Sequence, residues 1–185
     1  RMVNQGHRVF LDLKYHDIPS TVAAAVHAAA DLGVWMLTVH ATGGYDMLVA
    51  AKEAAANQDK GPKLIAVTVL TSFDDTILRG LGGSRSVPQQ VDALARLAQS
   101  AGIDGVVASP LEIGSIREAC GNDFLVVTPG IRNRTMDQMH DQKRTMDAAS
   151  AIAAGSSYLV VGRPITAAPD PRGAAVQIGQ QITQA

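Results

Sequence analysis

Short apolar segments alternate with alanine-rich segments of helical spacing along the whole chain. The apolar segments are rich in β-branched residues and leucine, a composition typical of strands buried on both faces of a parallel sheet. Strands are predicted at residues 9–13, 36–40, 64–70, 105–109, 124–128 and 158–161. Between them the apolar positions recur with the period of a helix, as at residues 22–29, 91–98 and 113–120.

This alternation predicts an α/β fold with right-handed crossovers. The last helix is expected to begin at Asp170 and Pro171, with the aspartate as N-cap and the proline in the first turn. No linker or change of composition interrupts the chain, so residues 1–185 are interpreted as a single domain. Six strands complete an open doubly wound sheet, whereas a closed barrel of this type has about eight. The residues alone leave open whether the fold is an open sheet or a barrel that lacks two βα units.

Composition narrows the range of partners. The formal net charge is -1, which offers no electrostatic attraction to nucleic acid or to an anionic membrane. One cysteine, Cys120, excludes an internal disulfide and a cysteine-rich metal site, and it suits a reducing cytoplasm. Neither a dinucleotide fingerprint nor a P-loop is present, and no cluster of ligand residues demands a metal. We therefore expect a cytoplasmic protein with no metal and no cofactor.

The densest group of candidate residues lies at the end of the first predicted strand. Asp12 and Lys14 are two residues apart, so that a strand presents both on one face, and Asp17 follows at the turn toward the next helix. Charges next to a buried strand are costly unless they are paired or take part in chemistry. An internal ion pair and a catalytic pair are about equally compatible with this pattern.

Polar or glycine-containing segments also follow the other predicted strands, with the exception of Ser109-Pro110, which carries no candidate. In parallel α/β folds the carboxyl ends of the strands form the active-site face. Arg132 and Arg163, each close to a glycine, indicate a phosphate site, because glycine permits close approach and arginine binds phosphate bidentately. The simpler alternatives are a surface ion pair at Arg163 and a hydrogen-bonded strand-end histidine at His40. Two polar segments, residues 79–88 and 133–142, are predicted to be loops, and long loops often bind ligands.

The segment Asp-Leu-Lys-Tyr-His-Asp-Ile-Pro-Ser-Thr at residues 12–21 resembles the Asp-x-Lys-x-x-Asp signature of the orotidine 5′-monophosphate decarboxylase family. Residues 39–44, 67–72, 128–132, 141–142 and 161–164 resemble further family motifs in the family's order. The resemblance implies a (βα)₈ TIM-type barrel, usually a homodimer, in which residues 9–13 form the third strand. About six of the eight strands of such a barrel would then be present, and the natural protein is expected to extend further at its N-terminus.

The resemblance also implies an activity and a catalytic group. The family converts orotidine 5′-monophosphate to uridine 5′-monophosphate (UMP) and carbon dioxide, the last step of de novo UMP synthesis, without metal or cofactor. By resemblance Lys14 protonates C6 of the pyrimidine, and Asp12 lies beside the leaving carboxylate. Asp17 would extend the charged network from the partner subunit, and Thr21 of the same segment would contact the ribose.

The remaining substrate contacts are also implied by resemblance. Thr71 would bind the pyrimidine edge. Gln142 and Arg163 would hold the phosphate together with the backbone at Gly162, and Arg132 would anchor the phosphate region. The loop 133–141 would close over the ligand.

Two alternatives to this activity remain at the level of sequence. A sugar-phosphate lyase or decarboxylase of the same superfamily shares the Asp-x-Lys-x-x-Asp strand but uses the acids to hold Mg²⁺. The second alternative is a non-catalytic, truncated chain that only binds a nucleotide or a partner subunit.

Overall fold

The computed structural model describes residues 1–56, 61–132 and 144–184. The chain divides into two compact units. The first comprises Arg1–Thr68 and Asp92–Val106, and the second comprises Val69–Val91 and Val107–Ala185. Strands and helices alternate along the chain, and the assigned strand pairs are parallel, so the predicted α/β class is confirmed.

The described residues form six strands and eight α-helices, with short 3-10 turns between some of them. The strands are β1 (Phe10–Tyr15), β2 (Met36–His40), β3 (Lys63–Val67), β4 (Gly105–Val107), β5 (Leu125–Thr128) and β6 (Tyr158–Leu159). The helices are α1 (Pro19–Asp31), α2 (Tyr45–Ala56), α3 (Asp75–Gly80), α4 (Val87–Ser100), α5 (Ile113–Cys120), α6 (Ala148–Ala153), α7 (Arg163–Thr166) and α8 (Pro171–Thr183). Within these ranges no helix is both long and apolar enough to cross a membrane.

The core of the first unit is built on β2 and β3. These strands are parallel, in a register that runs from Met36 opposite Lys63 to His40 opposite Val67. Their side chains are almost all buried, which explains the near-continuous apolar sequence of both strands. Helices α1 and α2 pack against each other. Val22 and Val26 of α1 are fully buried, and burial of each such side chain stabilises the fold by about 1.5–3 kcal/mol.

Strand β1 is more exposed than the sequence predicts. It was expected to be buried on both faces, but Asp12, Leu13 and Lys14 are exposed. The expectation was wrong because β1 lies at one end of the strand order and, among the described residues, pairs only with β2. The strand also begins at Phe10 and continues to Tyr15, past the predicted end, with an irregular register near its carboxyl end.

In the second unit the segment after β4 lies beside β5, since the Ala108 N–H donates to the Val127 carbonyl (3.2 Å). Strands β5 and β6 are parallel, with Val127 opposite Tyr158 and Thr128 opposite Leu159. Because parallel strands run in the same direction, the segments that follow β5 and β6 leave the sheet at the same edge. This edge therefore carries the two predicted phosphate-binding segments.

Several predicted boundaries need correction. The predicted strands 64–70, 105–109 and 158–161 end earlier, at Val67, Val107 and Leu159. The predicted loop 79–88 includes the end of α3 and the start of α4. Local hydrogen bonds accompany the formation of α3 and the early end of β4. The Asp74 carboxylate caps α3 by accepting hydrogen bonds from the N–H groups of Thr76 and Ile77. The Ser109 hydroxyl accepts a bond from the Leu111 N–H, and the chain turns there after β4.

The predicted Asp170 N-cap of α8 is confirmed, because its carboxylate accepts a hydrogen bond from the Gly173 N–H. The predicted loop 133–142 lies outside the described residues.

Candidate active site

The carboxyl end of β1 carries the charged pair expected from the sequence. Lys14 Nζ lies 2.7 Å from Asp12 Oδ2, and the two side chains are 41% and 47% exposed. Asp12 also contacts β2, where the Thr38 hydroxyl donates to Asp12 Oδ1 at 2.9 Å. Both oxygens of the Asp12 carboxylate are therefore engaged, while the ammonium remains accessible to a ligand from solvent.

The backbone at Lys14 is unusual for a residue with a side chain. Its φ is +53°, in the left-handed region, and it is the only non-glycine residue with positive φ in the described ranges. This conformation costs about 1–2 kcal/mol. The Lys14 N–H donates to Thr38 Oγ1 at 2.8 Å, so the same threonine holds both the backbone of Lys14 and the carboxylate of Asp12.

Thr38 is not among the site residues predicted from the sequence, although a signal for it is present. It is a threonine within an otherwise apolar strand, and the structure shows that it is completely buried. A buried hydroxyl must be hydrogen-bonded, because leaving it without a partner costs about 1–3 kcal/mol. A polar residue in the middle of a strand that is predicted to be buried is therefore a reason to search for its partner.

Two histidines lie beside the charged pair. The rings of His16 and His40 have centroids 5.2 Å apart and are tilted by 31°. Burial lowers the pKa of His40 below its usual value, and the neighbouring His16 and Lys14 lower it further, whereas Asp12 opposes them. A lowered pKa favours the neutral imidazole, so His40 adds little positive charge next to Lys14. The sequence interpretation, a hydrogen-bonded strand-end histidine, did not include the contact with His16.

Asp17 and Thr21 lie just beyond β1 at exposed positions. Asp17 Oδ1 accepts a hydrogen bond from the Ile18 N–H at 2.7 Å. The N-cap of α1 is Ile18, which makes no side-chain cap, and Thr21 lies in the first turn of the helix. The carboxylate of Asp17 thus keeps an exposed oxygen, and both side chains face solvent at the start of α1.

The candidate phosphate ligands lie in the second unit. Gly162 precedes α7 and Arg163 begins it, and both are exposed. A Cβ placed on Gly162 would meet no atom within 4 Å, so the space over this backbone is open. Arg132 is half-buried, and its N–H donates to the Met146 carbonyl at 3.0 Å. Thr71 is half-buried in the turn after β3, and Gln142 lies outside the described residues.

A buried ion pair in the second unit was also missed from the sequence. Arg144 binds Glu112 through Nη1, and its Nη2 donates to the Leu70 carbonyl at 3.0 Å. Glu112 is 4% exposed. Burial raises the pKa of Glu112, against the opposing effects of Arg144 and of hydrogen bonds from Ser109. Because Leu70 directly precedes Thr71, the pair holds the backbone at the predicted pyrimidine contact.

Comparison with known proteins places these features in a family. The family model described as "Orotidine 5'-phosphate decarboxylase / HUMPS family" matches residues 1–178. A protein of Geobacter sp. (strain M21) named "Orotidine 5'-phosphate decarboxylase" is 54% identical over 98% of this chain and 78% of its own length. A protein of the same name from Moorella thermoacetica is 56% identical over 98% of this chain and 75% of its own length.

A solved structure gives the same result. The crystal structure of orotidine 5'-phosphate decarboxylase from Lactobacillus acidophilus superimposes with a TM-score of 0.85 at 42% identity, covering 98% of this chain and 78% of the other. The similarity confirms the predicted fold class, a TIM-type barrel of which about six strands are present here. The motifs, the fold and the relatives agree, and the chain belongs to the orotidine 5′-phosphate decarboxylase / HUMPS family.

Proposed function

We propose that this chain decarboxylates orotidine 5′-monophosphate to UMP and carbon dioxide, as the final step of UMP synthesis in the cytoplasm. The family membership and the names of relatives that are more than half identical support this activity. The observation that carries the proposal is the Asp12–Lys14 pair at the carboxyl end of β1, the edge where α/β enzymes hold their catalytic groups.

The reaction requires a stabilised carbanion and a proton. When the bond from C6 to the carboxylate breaks, its electron pair remains on C6 and carbon dioxide leaves. Lys14 then transfers a proton from Nζ to C6 and regains one from solvent after product release. The ammonium also stabilises the charge that develops at C6, and such preorganised electrostatic stabilisation is usually a large part of catalysis.

Asp12 is proposed to lie beside the substrate carboxylate and to hold Lys14 in position. Repulsion between two carboxylates would favour loss of carbon dioxide, a form of ground-state destabilisation. One oxygen of Asp12 accepts a hydrogen bond from Thr38 and the other accepts one from the Lys14 ammonium, and these contacts support the positioning role. Decarboxylation is proposed to need no metal or other cofactor.

The phosphate end of the substrate is assigned to the edge that follows β5 and β6. Arg163 and the backbone at Gly162 are proposed to bind the phosphate together with Gln142, and Arg132 to anchor this region. The exposure of Arg163 and the open space over Gly162 support the assignment. Thr71 is proposed to bind the pyrimidine edge, where the Arg144 contact fixes the adjacent Leu70 carbonyl. The segment 133–141 is proposed to close over the ligand.

A homodimer is part of the proposal. Asp17 and Thr21 are exposed, and we propose that they complete the active site of a partner subunit, with Asp17 extending the charged network and Thr21 contacting the ribose. The exposed Ile18 beside them provides apolar surface that an interface would bury.

The test of the activity is an absorbance assay for loss of orotidine 5′-monophosphate, run on the full-length gene product with and without EDTA. We expect turnover that EDTA does not change. Turnover that disappears with EDTA and returns with Mg²⁺ would contradict the metal-free mechanism and favour the sugar-phosphate enzymes of the family, which hexulose phosphates would then test directly. Absence of any turnover of orotidine 5′-monophosphate would overturn the proposed function.

The phosphate site is tested by Arg163→Ala. We expect UMP binding to weaken by about 10–100-fold, the loss of one or two charge-assisted hydrogen bonds, with uridine binding changed less than about threefold. Isothermal titration of both ligands measures the difference. Arg172→Ala, at an exposed position in the first turn of α8, is the matched control and should leave both affinities unchanged. Equal weakening of UMP and uridine by Arg163→Ala would contradict a phosphate contact there.

A further inference from the structure

Strand β1 departs from regular pairing at the site of the charged pair. Leu11 lies opposite Leu37, but the next pair is Tyr15 opposite Val39, so four steps along β1 correspond to two steps along β2. β1 therefore has two more residues than β2 over this stretch, and Lys14, which lies within it, adopts its left-handed conformation. A bulge of this kind redirects side chains and is common next to active sites. The strand must be held by something other than main-chain pairing at this point.

Thr38 provides that contact. Its hydroxyl accepts the Lys14 N–H at 2.8 Å and donates its own proton to Asp12 Oδ1 at 2.9 Å. A third hydrogen bond, from Lys14 Nζ to Asp12 Oδ2 at 2.7 Å, completes a network that joins the three residues. The hydroxyl has one proton and can accept a bond at the same time, so both of its interactions are satisfied together.

The charged pair needs such an anchor because it is not held by burial. Asp12 and Lys14 are each more than 40% exposed. Ion pairs at this exposure contribute only about 0–1 kcal/mol and do not by themselves fix two side chains. Thr38 is completely buried, so water does not compete for its hydrogen bonds. The rigid part of the arrangement is therefore the threonine, and the charged groups are oriented from it.

From this geometry we infer that Thr38 is a positioning residue for decarboxylation, which sets the place of the Lys14 ammonium through Asp12 and through the Lys14 backbone. The inference depends on the proposed function, because it assigns a role in that reaction. Thr38 does not touch the substrate, and it acts on the rate by keeping the ammonium where C6 will lie. A displacement of about 1 Å from the reactive geometry can reduce a rate by about 10²-fold.

The test is Thr38→Val in the full-length protein. Valine has nearly the same shape as threonine and suits a buried strand, but it removes the hydroxyl. We expect kcat for orotidine 5′-monophosphate to fall by about 10²-fold, with KM and the dissociation constant of UMP changed less than about threefold. A purely structural role would lower the melting temperature without separating kcat from KM.

Two variants control for stability and for chemistry. Thr38→Ser restores the hydroxyl and removes only a methyl group, so kcat should return to within about threefold of wild type. Thr128→Val removes another fully buried hydroxyl, one that bonds to Ser156, and should lower the melting temperature comparably while changing kcat less than about threefold. Thr38→Ala takes the place of Thr38→Val if the valine variant does not fold.

The outcomes separate the inference from the function on which it depends. Wild-type protein that turns over the substrate while Thr38→Val keeps its full kcat would overturn the role of Thr38 alone. A kcat that falls equally in Thr38→Val and Thr38→Ser would also overturn it, because the hydroxyl would not be the cause. Wild-type protein without turnover would overturn the proposed function and this inference with it.

Discussion

Replacing Lys14 with alanine is expected to reduce kcat/KM for orotidine 5′-monophosphate by about 10⁴-fold or more, because one residue is proposed to supply both the proton and the positive charge at C6. UMP binding should change by less than about tenfold, since the phosphate and ribose contacts are proposed to involve other residues. Alanine keeps a Cβ at the left-handed position of Lys14, so the backbone strain at φ +53° is matched between the two proteins. Single-turnover absorbance kinetics and titration with UMP measure the two effects.

Two further variants identify the cause of the loss. Lys63→Ala removes an exposed lysine at the amino end of β3, away from the carboxyl-end edge of the parallel strands, and should leave turnover unchanged. Lys14→Arg keeps a positive charge, but a guanidinium does not release its proton at neutral pH and has a different shape. It should therefore remain strongly impaired. Turnover near the wild-type level in Lys14→Ala would contradict the proton-donor role.

Arg117→Met is expected to lower the free energy of unfolding by about 3–5 kcal/mol, the largest effect on stability that we predict. The Arg117 guanidinium lies in the second unit and donates to main-chain carbonyls and to one hydroxyl. Its partners are the carbonyls of Gly121, Asn122, Phe124 and Gly155 and the hydroxyl of Ser157. It joins the end of α5 to the segments before β5 and β6. Methionine fills similar volume but leaves these acceptors without a donor.

Urea titration followed by circular dichroism measures the loss. Arg117→Lys should recover little of it, because an ammonium cannot reproduce the planar fork that reaches separate carbonyls. Arg79→Met, at an exposed position in the last turn of α3, should change the free energy of unfolding by less than about 0.5 kcal/mol. A change below about 1 kcal/mol in Arg117→Met would show that water satisfies these carbonyls equally well.

The features predicted correctly from sequence depend on residues that are close in the chain. Asp12 and Lys14 are two residues apart and form the expected pair, Asp170 caps α8 through Gly173, and apolar periodicity marks α5. These signals are local, so they can be read without the fold. The ordered motifs added the family, which the comparisons confirm. The assignment of individual residues to substrate contacts stays a prediction.

The errors and omissions involve contacts between distant parts of the chain. The exposure of β1 depends on its place at one end of the strand order, which is a property of the whole sheet. The partners of Arg117 include Gly155, and Arg144 reaches Leu70, so both roles depend on which segments the fold brings together. From the sequence alone each of these arginines would be predicted to lie on the surface, because a charged side chain is usually solvated.

By itself the sequence determined the alternation of strands and helices, the family and the presence of a lysine flanked by two acids, because all three depend on residue types at short or ordered spacing. The tertiary structure alone decided how that lysine is held. Thr38 meets Asp12 and Lys14 across the irregular register of β1 on β2, and the left-handed backbone at Lys14 lies at this contact. The register between two paired strands depends on which side chains the unit buries, so it is set by the packing of the whole unit.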